Sequence, residues 1–196
     1  MELLSGFRLL LVYAHLMLCV FALHEVLVGD WRLLRGQAHA DDLAWTHRSI
    51  SWLLAGLWLT GLVIVGLDTG WQPARLADFP KTGAKLVTTV VLTLNGVLLW
   101  RWGLPRALHL PALRRWERAA VLAAGATSTA GWLAAAFLGV ARPLKDLPTA
   151  LLLQGVAAVL LAGLVVALVL AFWRAPAPEL SGPPAPDGTQ TPPRPA

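Results

Sequence analysis

Five apolar runs divide the chain, at Phe7–Gly29, Arg48–Leu67, Thr82–Trp102, Ala119–Val140 and Leu147–Trp173. Each is about twenty residues or somewhat more, the length of α-helix that crosses a bilayer core of roughly 30 Å. Backbone polar groups in lipid must be bonded within their own segment, so helix is the form expected of every run. The intervening stretches, Asp30–His47, Asp68–Lys81 and Gly103–Arg118, collect charge, Trp and Pro and read as connections. After Ala175 the pattern ends. APAPELSGPPAPDGTQTPPRPA has no apolar periodicity and is rich in Pro, which predicts a disordered tail over 175–196. The expected fold is therefore all-α, an integral membrane five-helix bundle over residues 1–174 followed by that tail.

The third run differs from the others in its polar minority. Lys85, Thr88, Thr89, Asn95 and Gly96 recur at helical spacing and share one stripe. Ionisable and amide groups on a membrane helix face other helices or a cavity, so this run is expected to form an inner wall. The second run carries Gly56, Gly61 and Gly66, and the fourth is Ala- and Gly-rich around Thr127–Thr129. Both compositions allow close helix approach, within the chain or in a homo- or hetero-oligomer. The fifth run has no ionisable residue between Val156 and Trp173 and is expected to face lipid and close the bundle.

Composition agrees with the pattern. Of 196 residues, 57% are hydrophobic and only 14% charged, with mean hydropathy +0.62, against about 25% charged in soluble domains. A net charge of +5 does not mark nucleic-acid binding, because the arginines sit in short loops beside apolar runs. With five spans, Arg32, Arg35, Arg48, Arg101, Arg106, Arg114, Arg115, Arg118 and Arg174 fall on one side. Arg8, Arg75, Lys81, Arg142 and Lys145 fall on the other. The excess of basic residues retains the first side in the cytoplasm, which predicts an outside N-terminus and a cytoplasmic C-terminus in a bacterial inner membrane. Trp31, Trp71, Trp102 and Trp173 near the boundaries fit an aromatic belt. The first run is too long for the apolar part of a signal peptide, so no cleavable signal is expected.

The candidate chemistry is sparse. There is no phosphate loop, Cys-x-x-Cys, nucleophile elbow or His-Glu-x-x-His. His15 lies roughly 12 Å along the first helix at 1.5 Å per residue. Its imidazole is suited to ligating a metal or haem iron or to relaying protons; it could equally be a neutral ring bonded to a hydroxyl or carbonyl between helices. Cys19, one turn on and on the same face, would make with His15 a soft pair for Cu(I), or be a small apolar filler. His24 points half a turn away, and with Glu25 and Asp30 it forms a group able to pair with Arg48 or Arg101. Lys85 can snorkel to water, pair with Asp68, or bind an anionic ligand group such as a haem propionate above His15. Asn95 is a candidate ligand contact or an interhelical hydrogen bonder.

Several of these residues carry a resemblance. Thr60-Gly61-Leu62 in the second run, Gly83–Leu86 at the start of the third, the late Asn95 and the basic Pro105-Arg106 exit follow one another as in the copper-resistance D family. His15 within AHLMLCVFAL is similar to that family's early His-Leu. The resemblance covers about residues 7–140 and implies a small multi-pass membrane protein handling copper or carrying a b-type haem. The same His and Lys-Leu pattern is similar to HemJ-type protoporphyrinogen oxidase, a haem-dependent membrane oxidoreductase. That likeness implies His15 as axial ligand and Lys85 as a required residue. A membrane scaffold without small-molecule chemistry is the third reading.

Overall fold

The structure is a computed structural model that describes residues 2–37 and 39–173. The expected tail at 175–196 lies outside them. Among the described residues there is no strand, and the long helices are α1 (Glu2–Leu34), α2 (Ala40–Thr69), α3 (Pro80–Leu98), α5 (Arg115–Val140) and α6 (Thr149–Trp173), with a single-turn α4 (Leu104–Ala107). Five helical stretches are long and apolar enough to cross a membrane. The chain is a multi-pass, all-α membrane protein.

The helices outrun the apolar runs. With 33 and 30 residues, α1 and α2 are about 50 and 45 Å long at 1.5 Å per residue, well beyond a core of roughly 30 Å. The expected connection Asp30–His47 therefore shrinks to residues 35–39. The physical reason is that hydropathy marks what lipid surrounds, whereas a helix ends only where its backbone bonding fails. Asp41 and Asp42 sit in the first turn of α2, where the helix dipole favours acid. α2 ends at Gly70, whose φ of 63° is left-handed, with its N–H on the Gly66 carbonyl. A short 3-10 turn, Pro73–Asp78, leads to Pro80, which starts α3 at the one place where a missing N–H costs nothing. α3 is continued by a wider π turn, Leu99–Gly103, and by α4. A 3-10 turn, Arg142–Asp146, joins α5 to α6.

α1 and α2 form an antiparallel hairpin, and α5 and α6 a second. α3 lies on α5 and α6, α1 also reaches α5, and α2 touches α3 sparingly. The most enclosed helix is α5, with Val121, Ala124, Ala130, Gly131, Trp132, Ala134 and Leu138 buried. Some of its small residues make close contacts inside the chain. A Cβ on Gly163 of α6 would lie 3.0 Å from Ala130 Cβ and 3.4 Å from the Ala126 carbonyl oxygen, so these two backbones run close together. One apolar cluster, Ala22, Val26, Leu57, Leu92 and Trp132, joins α1, α2, α3 and α5. A second, Ala84, Ala134, Leu138, Leu152 and Val156, joins α3, α5 and α6. α6 keeps an exposed outer face but buries Leu152, Val156, Ala167 and Ala171.

Candidate functional site

The inward stripe of α1 is His15, Cys19, Ala22, Val26 and Asp30, at spacings of four, three, four and four. Ala22 is 0% and Val26 4% exposed, so the middle of the stripe is dry and its two ends carry the chemistry.

At the His15 end, Nδ1 lies 2.7 Å from Thr60 Oγ1 on α2. The Thr60 hydroxyl, with one proton, is also within hydrogen-bond reach of two carbonyls of its own helix, Gly56 at 2.8 Å and Leu57 at 3.3 Å. When that proton goes to a carbonyl, the Thr60 oxygen accepts from His15 Nδ1–H; when it goes to Nδ1, the imidazole proton sits on Nε2. In the first arrangement Nε2 keeps its lone pair, and among the described residues nothing hydrogen-bonds to that nitrogen. The ring rests on bare backbone: a Cβ on Gly61 would lie 3.3 Å from His15 Cε1. The contact is the bond to a hydroxyl between helices that the sequence offers as one reading of His15.

Cys19 is half-buried and packs against the Ala22–Leu57–Trp132 cluster. Lys85 is half-buried on α3 and interacts electrostatically with His15, Cys19, Lys81 and Asp68. Among the described residues it forms no salt bridge and no hydrogen bond through its ammonium group. Asp68 is engaged instead by Arg8, which donates from Nε at 2.9 Å and from its second guanidinium nitrogen at 3.2 Å. The carboxylate at the end of α2 thus pairs with the start of α1, because the hairpin sets those two ends side by side. Lys85 begins a different helix.

The polar stripe of α3 divides between two neighbours. Ala84, Thr88, Leu92 and Asn95 are buried, and Asn95 Nδ2 donates to the Ala124 carbonyl on α5 at 2.9 Å. Lys85, Thr89 and Thr93 lie on the other edge, where Trp58 Nε1 of α2 donates to Thr93 Oγ1 at 3.0 Å. A Cβ on Gly96 would meet nothing within 4 Å. The structure brings His15, Thr60 and Gly61 together, with Cys19 and Lys85 beside them; Asn95 is committed to α5.

At the other end of the stripe, Thr129 Oγ1 of α5 donates to Asp30 Oδ2. The expected pairing of His24, Glu25 and Asp30 with Arg48 or Arg101 does not form among the described residues: Asp30 turns into the helix bundle, and His24 is exposed. Thr60 and Thr129 are the residues that sequence reasoning missed as partners. Nothing local marks a partner 45 or 99 positions away.

As a metal site, the residues fit in part. Imidazole Nε2 and a thiolate are the donors a soft ion prefers. Among the described residues no group of three or more His, Cys, Asp or Glu side chains is gathered for a metal. For a haem, the chain offers one axial nitrogen, with Lys85 as the cation for a propionate. No family model matches the chain, and no curated protein and no solved structure matches it either.

Proposed function

We propose that this chain is a copper-handling multi-pass protein of a bacterial inner membrane, of the copper-resistance D type, in which His15 Nε2 and Cys19 Sγ are the ion's protein donors. The observation that carries the reading is the hydrogen bond between His15 Nδ1 and Thr60 Oγ1. With Nδ1–H as the donor, the second ring nitrogen is unprotonated and its direction fixed, which is what an outer hydrogen bond does for a metal-ligating histidine. Cys19 adds a soft donor one turn along the same face. The basic loops that follow the first and third spans argue for an outside N-terminus and a cytoplasmic C-terminus, which puts His15 toward the outer half of its span. Two protein donors suit a site that exchanges its ion with a partner or with further ligands rather than one that locks it in.

The test is Cu(I) titration of the purified protein against a chromogenic chelator, alongside its visible spectrum. We expect one Cu(I) per chain, lost in His15→Ala and weakened in Cys19→Ser. A Soret band that disappears in His15→Ala would replace copper with a b-type haem and move the protein toward the HemJ-like reading. A colourless protein that binds no copper leaves a scaffold.

A further inference from the structure

The inner end of the α1 stripe holds a carboxyl group that the copper reading does not use. Thr129, its hydroxyl partner, is the fifteenth residue of the 26 in α5. The side chain of Asp30 therefore meets α5 near its middle, in a stretch from Ala119 to Val140 with no ionisable residue at all. Ala22 and Val26 seal the same face of α1 toward His15. Fifteen residues of helix, about 22 Å at 1.5 Å per residue, separate Asp30 from His15, so the two are distinct sites.

The charged groups around this end are engaged elsewhere. On α1, Arg32 lies 4.0 Å from Asp42 of α2, and Arg35 covers the ring of Trp31. On α2, His47 stacks on Trp100 of the π turn. Arg106 of α4 lies over Trp102, and Arg118 of α5 donates to the Leu110 carbonyl. Among the described residues, no cation lies within ion-pairing distance of Asp30, Arg48 and Arg101 included. An unpaired carboxylate between apolar helices is costly, and binding a proton is the simplest way to remove the charge.

We propose that Asp30 and Thr129 form an intramembrane proton-binding site between α1 and α5. With the proton on Oδ1, Oδ2 remains the acceptor for the Thr129 hydroxyl, so the neutral acid keeps the contact the structure shows. Release of the proton leaves a carboxylate with a single hydroxyl donor, and the α1–α5 contact then opens to admit water. The pair offers too few oxygens for a sodium ion, which needs a fuller shell of ligands. The ligand class is therefore the proton itself, and the site couples proton uptake to the seating of the first helix on the fourth span.

The full chain in lipid nanodiscs is examined by infrared difference spectroscopy over a pH series. The expected result is a protonated carboxylic C=O band present at neutral pH, lost on alkalinisation, and missing in Asp30→Asn. Should Asp30→Asn fail to fold, the wild-type protein is treated with dicyclohexylcarbodiimide, an apolar reagent that adds to protonated carboxyls, and the adduct is mapped by peptide mass. Label on Asp30 that falls as pH rises supports the site. Absence of the band at neutral pH, or label confined to other carboxyls such as Asp68 and Glu25, overturns it. So does a band or adduct abolished by Na⁺ at fixed pH, which would make the site a sodium site.

Discussion

Thr60 does for His15 what no residue of the first helix can do. An imidazole alone may carry its proton on either nitrogen. The Thr60 oxygen, when its own proton goes to Gly56, selects the tautomer protonated at Nδ1 and leaves the Nε2 lone pair open. Thr60→Val keeps the shape and removes the acceptor. If His15 binds Cu(I), Thr60→Val should weaken binding by roughly 10–100-fold, as loss of an outer hydrogen bond to a ligand does, without altering the helical circular dichroism. Chelator competition on the purified variant measures it. The pH dependence has a definite sign: protons compete with the metal for Nε2 and for the Cys19 sulfur, so affinity should fall as pH is lowered. The same titration at stepped pH checks this; affinity unchanged down to the acid side would mean that His15 is not the ligand. His15 and Cys19 were visible in the sequence as rare groups inside an apolar run. Thr60 was not, because threonine in a membrane helix usually bonds to its own turn, as Thr88, Thr89 and Thr93 also do.

At the scale of elements, helix separation is set by which positions lack side chains. The α5–α6 pair runs close at Gly163, against Ala130 and the Ala126 carbonyl. Gly163→Leu should drive the two helices apart and cost about 1–3 kcal/mol, as overpacking does, read as a lower thermal midpoint in detergent. Asn95 bridges α3 to α5 through one buried hydrogen bond. Asn95→Ala should cost about 1 kcal/mol, the scale of hydrogen bonds between membrane helices, again read from the thermal midpoint, and should leave any Cu(I) stoichiometry unchanged. An Asn95→Ala protein of full stability but no copper would return Asn95 to the ligand set. The polar stripe of α3 shows how far periodicity reaches. It correctly marks the inward arc of the helix, but Asn95 on one edge bonds to α5 while Thr93 on the other meets Trp58 of α2. Spacing within one helix cannot tell which neighbour each edge will meet. Asp30 is the converse case: it falls in step with His15, Cys19, Ala22 and Val26, yet it reads as loop if the helix is ended where hydropathy falls.

At the scale of the molecule, two hairpins and α3 assemble around α5, the helix of small residues, rather than around the third span with its polar stripe. Small side chains let α5 touch α1, α3 and α6 together, whereas a helix of Leu and Val holds its neighbours at a distance. In the orientation proposed above, five spans leave the start of the first outside and the end of the last in the cytoplasm. A fluorescent protein fused to the C-terminus should therefore be bright in bacterial cells, and an N-terminal cysteine should be labelled by a membrane-impermeant maleimide from outside. Labelling at the wrong face would reverse the orientation argued from the basic loops.

The sequence alone determined the class of this protein, because bilayer thickness imposes a length on apolar runs and lipid forbids any unbonded backbone within them. It also singled out His15, Cys19 and Lys85, since such groups in such runs are rare enough to be seen without a structure. Only the tertiary structure decided their partners: Thr60 for His15, Arg8 for Asp68, Ala124 for Asn95 and Thr129 for Asp30. Those pairings depend on the register and tilt of one helix against another, which arise from the fit of many small and large side chains at once and leave no periodic trace in the chain.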